Sequence, residues 1–352
     1  MAKHRRRWSV IAAVMFFSVV VAGASALHAA RIFILHSYEQ GHVCGQPQHD
    51  GVVSVLRQAG YNEYENLVLD MYFMDTKQHN NTRELIARQA ELARNRIEAF
   101  NPDVLVTLDD NAFSSVGLTY VDGLFPVVFS GVNRRLEQYN ALKPFMNSRR
   151  VPGHNITGVF EKLHVKEALR VHSRLFPGVG TVEFVVDRSV TGEAMSEQIR
   201  EELASGPLPC SWRLAVVDSW EAYQKEIRRA NRDSAIGAIY PAAQLLKDKK
   251  GNVYTALQII PWTAQVSTKP ELAINCMFTR LGVFGGAAVD FYAMGRQTGR
   301  MVTRILQGED TAGIAIEDAD RYALTFNLHR AAVLGLDIPQ DVILSADEIV
   351  KD

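Results

Sequence analysis

The sequence predicts an α/β protein made of two successive units, each a parallel sheet covered by helices on both faces. Three observations lead there. Short, continuous apolar runs such as Arg31 to Ser37 and Asp103 to Asp109 alternate with segments of helical period. The alternation restarts near residues 150 to 157. A chain of 352 residues also exceeds what one hydrophobic core usually fills.

Arg31 to Ser37 reads as the first buried strand, and Gln46 to Ala59 as a helix carried by Val52, Val53, Val55 and Leu56 and stopped by Gly60. Leu67 to Asp75 is the second strand. Asn81 to Phe100 is a helix whose Asn81 and Glu84 have the spacing of a capping box. Asp103 to Asp109 and Pro126 to Ser130 are strands three and four, with a helix from Asn111 between them. In the second unit, Asn155 to Phe160, Thr181 to Val186, Trp212 to Val217 and Ala235 to Tyr240 read as strands. Helices at Val165 to Phe176, Gly192 to Ala204 and Trp220 to Ala230 alternate with them. Gly285 to Leu306 reads as one long helix and Tyr322 to Leu328 as a late strand.

Residues 1–26 read as a signal peptide. Lys3, Arg5, Arg6 and Arg7 precede an apolar run from Ser9 to Gly23, then the small residues Ala24, Ser25 and Ala26. The run is shorter than the ~20 residues that span a bilayer. No cysteine stands at the cleavage point, so a lipoprotein is not expected, and the implied destination is the periplasm. Cleavage leaves a charge of about −5, and even the full chain, at −1, has no basic field of the kind nucleic acids attract. In that oxidising compartment Cys210 and Cys276 are able to pair, with Cys44 left over; three separate thiols are the alternative.

In an open parallel sheet, ligands bind beyond the carboxyl ends of the strands. Those ends carry Ser37, Tyr38 and Glu39; Asp109, Asp110 and Asn111; and Ser130, Gly131 and Asn133, followed by Arg134 and Arg135. The second unit adds Asp187, Arg188 and Ser189, then Asp218 with Ser219, then Tyr240. This set suits a small polar solute. Arg188 with Ser37 and Ser130 points to a carboxylate, Tyr38 and Tyr240 to a flat ring. Individually, Ser, Asp and Asn also serve as helix caps. Asp109 and Asp110, adjacent at a strand end, point in different directions, which favours one cap and one ligand contact over an acid–base pair. The sequence contains no GxSxG, HExxH, GxxxxGK[ST] or GxGxxG motif, so catalysis and a nucleotide cofactor are not expected. His42, Cys44 and His49 lie close together but read as a polar loop, so no metal is expected. Tyr61, Tyr64, Tyr72 and Phe73 read as core and surface.

Two stretches and the tail carry a resemblance: Pro126-Val-Val-Phe-Ser-Gly-Val-Asn133 with Asn155-Ile-Thr-Gly158; Gly285-Gly-Ala-Ala-Val-Asp-Phe-Tyr-Ala-Met-Gly-Arg-Gln297; and Phe326 to Pro339 with Ala346 to Val350. In order and spacing the chain resembles the ABC transporter substrate-binding family that includes tryptophan- and tyrosine-binding members. The start His36-Ser37-Tyr38 is similar to a branch also found as sensor modules beside histidine kinases. The resemblance implies a type I periplasmic binding protein fold: two Rossmann-like lobes joined by a hinge of three crossovers, expected near 153–157, 278–284 and 312–322. The N-terminal lobe is then 31–155 plus 282–315, and the C-terminal lobe 156–281 plus 316–352. It also implies a non-enzymatic monomer that captures a small-molecule ligand by hinge closure and delivers it to an ABC permease in the inner membrane. A module reporting to a sensor kinase or chemoreceptor is the first rival reading, and a secreted enzyme the second.

Overall fold

The computed structural model describes residues 29–351; the signal-peptide reading lies outside them. The chain opens with β1 (Ala30–His36), α1 (Gly45–Gln58), β2 (Leu67–Phe73), α2 (Arg83–Phe100), β3 (Val104–Leu108), α3 (Asp109–Ser115), β4 (Val127–Val132), α4 (Leu136–Leu142) and β5 (Ile156–Phe160). It continues with α5 (Val165–Leu175), β6 (Thr181–Asp187), α6 (Val190–Ala204), β7 (Ser211–Val217), α7 (Trp220–Arg232), β8 (Ile236–Pro241), β9 (Leu245–Lys247), β10 (Val253–Thr255), α8 (Ala256–Val266) and α9 (Cys276–Arg280). The last part holds β11 (Gly285–Val289), α10 (Phe291–Leu306), β12 (Glu317–Asp318), β13 (Tyr322–Asn327), α11 (Leu328–Leu334), α12 (Gln340–Ser345) and β14 (Glu348–Val350).

The first lobe is a six-stranded parallel sheet in the order β12-β5-β4-β3-β1-β2. Its central strands β1, β3 and β4 are largely apolar on both faces because both are covered. Ile32, Ile34, Val104, Val106 and Val128 point to one side, where α1 and α10 pack through Val52, Leu56, Met301 and Val302. Phe33, Leu35, Leu105, Val127 and Phe129 point to the other, against Ala93 and Ile97 of α2, Phe113 of α3 and Tyr139 of α4. Period-2 alternation thus sorts one strand's side chains into two separate cores.

The second lobe carries a parallel sheet β7-β6-β8 and a sheet β11-β13-β14, in which β13 runs antiparallel to β11. Residues 270–275 stitch the two together. Ile239 N donates to the Pro270 carbonyl at 3.0 Å, Leu272 N to Ile239 at 2.8 Å, and on the other side Gly285 N to Glu271 at 3.0 Å. A buried ion pair staples the same region to α11: Arg330 donates to Glu271 at 2.5 and 3.1 Å, with 8% and 0% side-chain exposure. The architecture is the expected one, two α/β lobes of the type I periplasmic binding protein kind. The chain passes from one sheet to the other after β5, after β11, and between β12 and β13.

Three details of the sequence reading are corrected. Gly285 to Leu306 is not one helix: residues 285–289 form β11 and the helix starts at Phe291, with the Asp290 carboxylate accepting from Ala293 N at 2.8 Å as its cap. Gly285 and Gly286 hold φ of +117° and +125°, which a continuing right-handed helix excludes. The cap of α2 is Thr82, whose hydroxyl accepts from Leu85 N at 3.3 Å, one residue beyond Asn81. And α3 starts at Asp109 itself, in a left-handed conformation (φ +68°), leaving no spacer after the strand.

The return of α10 to the first lobe depends on glycine. Along α1 and α10 the backbones touch: a Cβ on Gly51 would sit 2.7 Å from Arg296 N, and one on Gly295 would fall into the Gln48 carbonyl. No side chain larger than hydrogen fits at either position.

Candidate functional site

The carboxyl ends of the first-lobe strands build one wall of a buried interlobe seam. Ser37 and Ser130 are spent on that wall. Ser37 Oγ donates to the Leu108 carbonyl (2.7 Å) and accepts from Ala112 N (2.8 Å), fastening β1 to the start of α3. Ser130 Oγ donates to Gln48 Oε1 at 2.7 Å, and Gln48 Nε2 donates to Asp109 Oδ1 at 3.3 Å. Gly131 bulges β4 here with φ +73°; a Cβ would approach Gln48 Oε1 to 2.7 Å. Asn111 donates to Thr76 at 2.8 Å, and Thr76 to the Ser37 carbonyl at 2.7 Å.

The adjacent carboxylates divide their roles. Asp110 accepts from Asn133 N (3.2 Å), Arg134 N (3.1 Å) and the Tyr139 hydroxyl (2.6 Å), so it holds the β4–α4 turn. Asp109, 2% exposed, leaves Oδ2 without a partner. Asn133 donates to Glu161 Oε2 at 3.0 Å and leaves its own Oδ1 free; Glu39 accepts from Gln78 at 3.0 Å and leaves Oε2 free.

The second lobe closes on this wall. Lys77, at the end of β2, lies 4.0 Å over the Tyr38 ring and donates across the seam to Gln244 Oε1 at 2.9 Å. Lys247 donates to Asn81 at 3.3 Å, Gln138 to Glu197 at 3.2 Å, and Arg135 pairs with Glu201 at 3.0 Å. Asn275 brings its amide to 4.0 Å from the Cys44 sulfur and leaves Oδ1 without a partner. Beside it an open pocket of about 450 Å³ is lined by His42, Gln46, Cys276, Arg280, Asp290 and Tyr292. His42 belongs to both, its ring 4.3 Å from that of Tyr38.

The remaining residues read from the second unit lie elsewhere. Asp187 accepts from Ser189 N (2.8 Å), Gln244 N (2.7 Å) and Leu245 N (3.0 Å), and so sets the loop that presents Gln244. Ser189 caps α6 by accepting from Gly192 N at 3.1 Å. Arg188 and Asp218 are exposed, the latter accepting from Ser219 Oγ at 3.0 Å. Tyr240 is wholly buried against Phe184, ring centroids 4.8 Å apart, with its hydroxyl unpartnered. Lys77, Glu161, Gln48, Gln244 and Asn275 are the residues the sequence reading leaves out. For Lys77 and Glu161 the signal was present: the strand-end rule, applied also to β2 and β5, points to both.

Burial dominates the electrostatics. It pushes the Asp109 carboxyl up to about 7, with Lys77 opposing and Asp110 adding to the rise. It raises Glu161 well above the carboxylate range, reinforced by Asp109 and Asp110. Asp110 rises less freely because Tyr139 and two backbone N–H groups bond its charged form. His42 is driven well below its usual value by burial and then by Lys77, and His36 falls to about 3 through burial and its neighbour His49, 3.2 Å away. Both imidazoles are neutral at physiological pH, so their charge does not balance the carboxylates. Cys44, Cys210 and Cys276 are free thiols. Among the described residues no cluster of three or more His, Cys, Asp or Glu side chains is placed to hold a metal, and no helix is long and apolar enough to cross a membrane.

The fold has known relatives. An ABC domain in complex with L-Trp from Streptococcus pneumonia superposes with a TM-score of 0.68 at 18% identity, over 91% of this chain and 99% of that one. A conserved domain protein from Vibrio cholerae gives 0.67 at 20%, over 91% and 99%. A ligand-free, open substrate binding protein with adhesive properties from Clostridium difficile gives 0.67 at 14%, over 92% and 100%. No curated protein matches the chain. The family model for ABC transporter substrate binding proteins matches residues 42–350, and with nearly the whole described chain inside that match, the protein belongs to this family.

Proposed function

We propose that the chain binds a small polar solute in the seam between its lobes and hands it, chemically unchanged, to an ABC permease of the inner membrane, working as a monomer in the periplasm. The observation that carries this is the seam itself. Polar side chains of both lobes meet there, away from water, and several are left without partners, which costs free energy that a bound solute offsets. Among the residues read from the sequence, the proposed contacts are Tyr38, Glu39, Asp109 and Asn133, joined by Lys77, Gln244 and Asn275. The streptococcal relative, whose structure of the same fold is a complex with L-Trp, supports a solute of that size.

In this reading the solute meets one wall in the open form. Closure over the three interlobe crossovers then brings Gln244 and Asn275 onto it and expels water, which strengthens each polar contact. The solute favours the closed form only by its higher affinity for it. The proposed lobe boundaries are the points where the chain changes sheet: after β5, after β11, and before β13.

A thermal-shift screen against amino acids, purines, sugars, amines and small carboxylates tests this. A solute at 100 times its Kd stabilises by about 2.7 kcal/mol. A hit recovered unchanged supports the proposal; turnover of the hit, or no stabilisation across the panel by protein first unfolded and refolded to strip bound solute, refutes it.

A further inference from the structure

The seam gathers more carboxyl groups than cations, and burial keeps protons on Asp109 and Glu161 where no cation replaces them. Facing it from the first lobe are Glu39 on the loop after β1, Asp109 at the start of α3 and Glu161 after β5. All three lie near enough to act electrostatically on the buried Cys44 thiol, as does Lys77. Among the described residues, Lys77 is the cation with the largest effect there, and it is already engaged by the Tyr38 ring and Gln244. His42 and His36 are neutral, and Arg188 is exposed.

At the seam, four of the unsatisfied buried atoms are carboxyl or amide oxygens; the Tyr240 hydroxyl, also unsatisfied, is able to donate. Glu39 Oε2, Asp109 Oδ2, Asn133 Oδ1 and Asn275 Oδ1 are all buried acceptors with no donor. Asp109, Asn133 and Asn275 are 2%, 5% and 1% exposed, so solvent reaches none of them freely. Three stand on the first lobe, and Asn275 comes from the second, its amide against Cys44. A solute carboxylate would add acceptors to these oxygens and a negative charge beside Glu39 and two carboxyls that burial already keeps from ionising. A protonated amine supplies several N–H donors and the missing positive charge at once.

Resting on the solute-binding reading above, we propose that the bound solute is a net cation, an organic amine whose ammonium sits against Asp109 and Glu39, and not a carboxylate anion or a zwitterionic amino acid.

Matched probes test it by isothermal titration of the purified protein: tyramine, tyrosine and phloretate share one ring and differ in charge, and putrescine and butyrate form an aliphatic pair. The expected result is binding of tyramine or putrescine, with the matched acid weaker by about tenfold or more. Asp109→Asn and Glu39→Gln, checked for an unchanged circular dichroism spectrum, should each weaken the amine by about tenfold. Binding of phloretate or tyrosine as tight as that of tyramine overturns the inference and leaves solute binding standing. So does unchanged amine affinity in both variants. No response to either amine overturns it as well, and if the broader solute panel is equally silent, the solute-binding proposal falls with it.

Discussion

Asp109→Asn also makes a sharp prediction for the ligand-free protein. In the fold, burial holds the Asp109 proton until about pH 7, whereas the unperturbed value is 3.8. Between these values the folded state binds more protons than the unfolded one, so this residue's contribution to stability falls as pH rises. The gap corresponds to about 4 kcal/mol once both states are ionised. Asparagine keeps the shape, still accepts the Gln48 amide, and tolerates the left-handed backbone that Asp109 adopts at φ +68°. It does not titrate. The variant should therefore match the wild type near pH 4 and gain on it steadily to pH 8, by up to about 4 kcal/mol. Glu161 and Asp110 are present in both proteins but lose the Asp109 charge in the variant, so the difference between the two profiles reports Asp109 together with its coupling to them. Urea denaturation at pH 4, 5, 6, 7 and 8 measures it. Profiles that stay parallel across that range would show that Asp109 is ionised in the folded chain, and would refute the electrostatic account of the seam.

Other outcomes follow from the same contacts. Gly295→Ala should destabilise the fold by about 1 to 3 kcal/mol in urea denaturation, because the new methyl enters the Gln48 carbonyl where α1 and α10 touch. Arg330→Met should cost about 3 to 5 kcal/mol by leaving Glu271 charged and buried, and adding Glu271→Leu should recover most of it. Lys77→Met removes the buried donor that reaches Gln244 across the seam; it should shift the lobes toward an open form, read as a larger radius of gyration in small-angle scattering.

The strands were the legible part of this fold, since a strand buried on both faces must be largely apolar, and the middles of β1, β3 and β4 are. What escaped was decided by distant partners. Gly285 to Val289 carries no β-branched run beyond Val289, and only pairing with β13 makes it a strand. The helix α8 contains Pro261, which argues against a helix locally, yet its Ile259 and Ile260 are fully buried. The site was half legible for a similar reason. Strand ends pointed to Tyr38, Glu39, Asp109 and Asn133. Asp187 and Ser189 sat at the right kind of position but are consumed by local turns and caps, which no spacing rule distinguishes from ligand contacts. Gln244 and Asn275, proposed to join them, lie in a loop and at a short helix start, and meet Lys77 and Cys44 only because the fold brings together residues far apart in the chain.

The crossing of α10 back to the first lobe has a consequence for how this molecule is made. Arg296 reaches Ser54 across 242 residues of sequence, and until that helix exists, Val52 and Leu56 of α1 face nothing on that side. A ribosome delivers the chain from its amino end, so most of the first lobe emerges early and waits, incomplete, while the second-lobe elements from α5 to β11 are synthesised. The late arrival is costly in loop-closure entropy and slow to find. A nascent chain stalled before residue 306 should therefore present a bare apolar face to chaperones and proteases, and the second lobe, whose β13 and β14 follow α10 in the chain, is completed last.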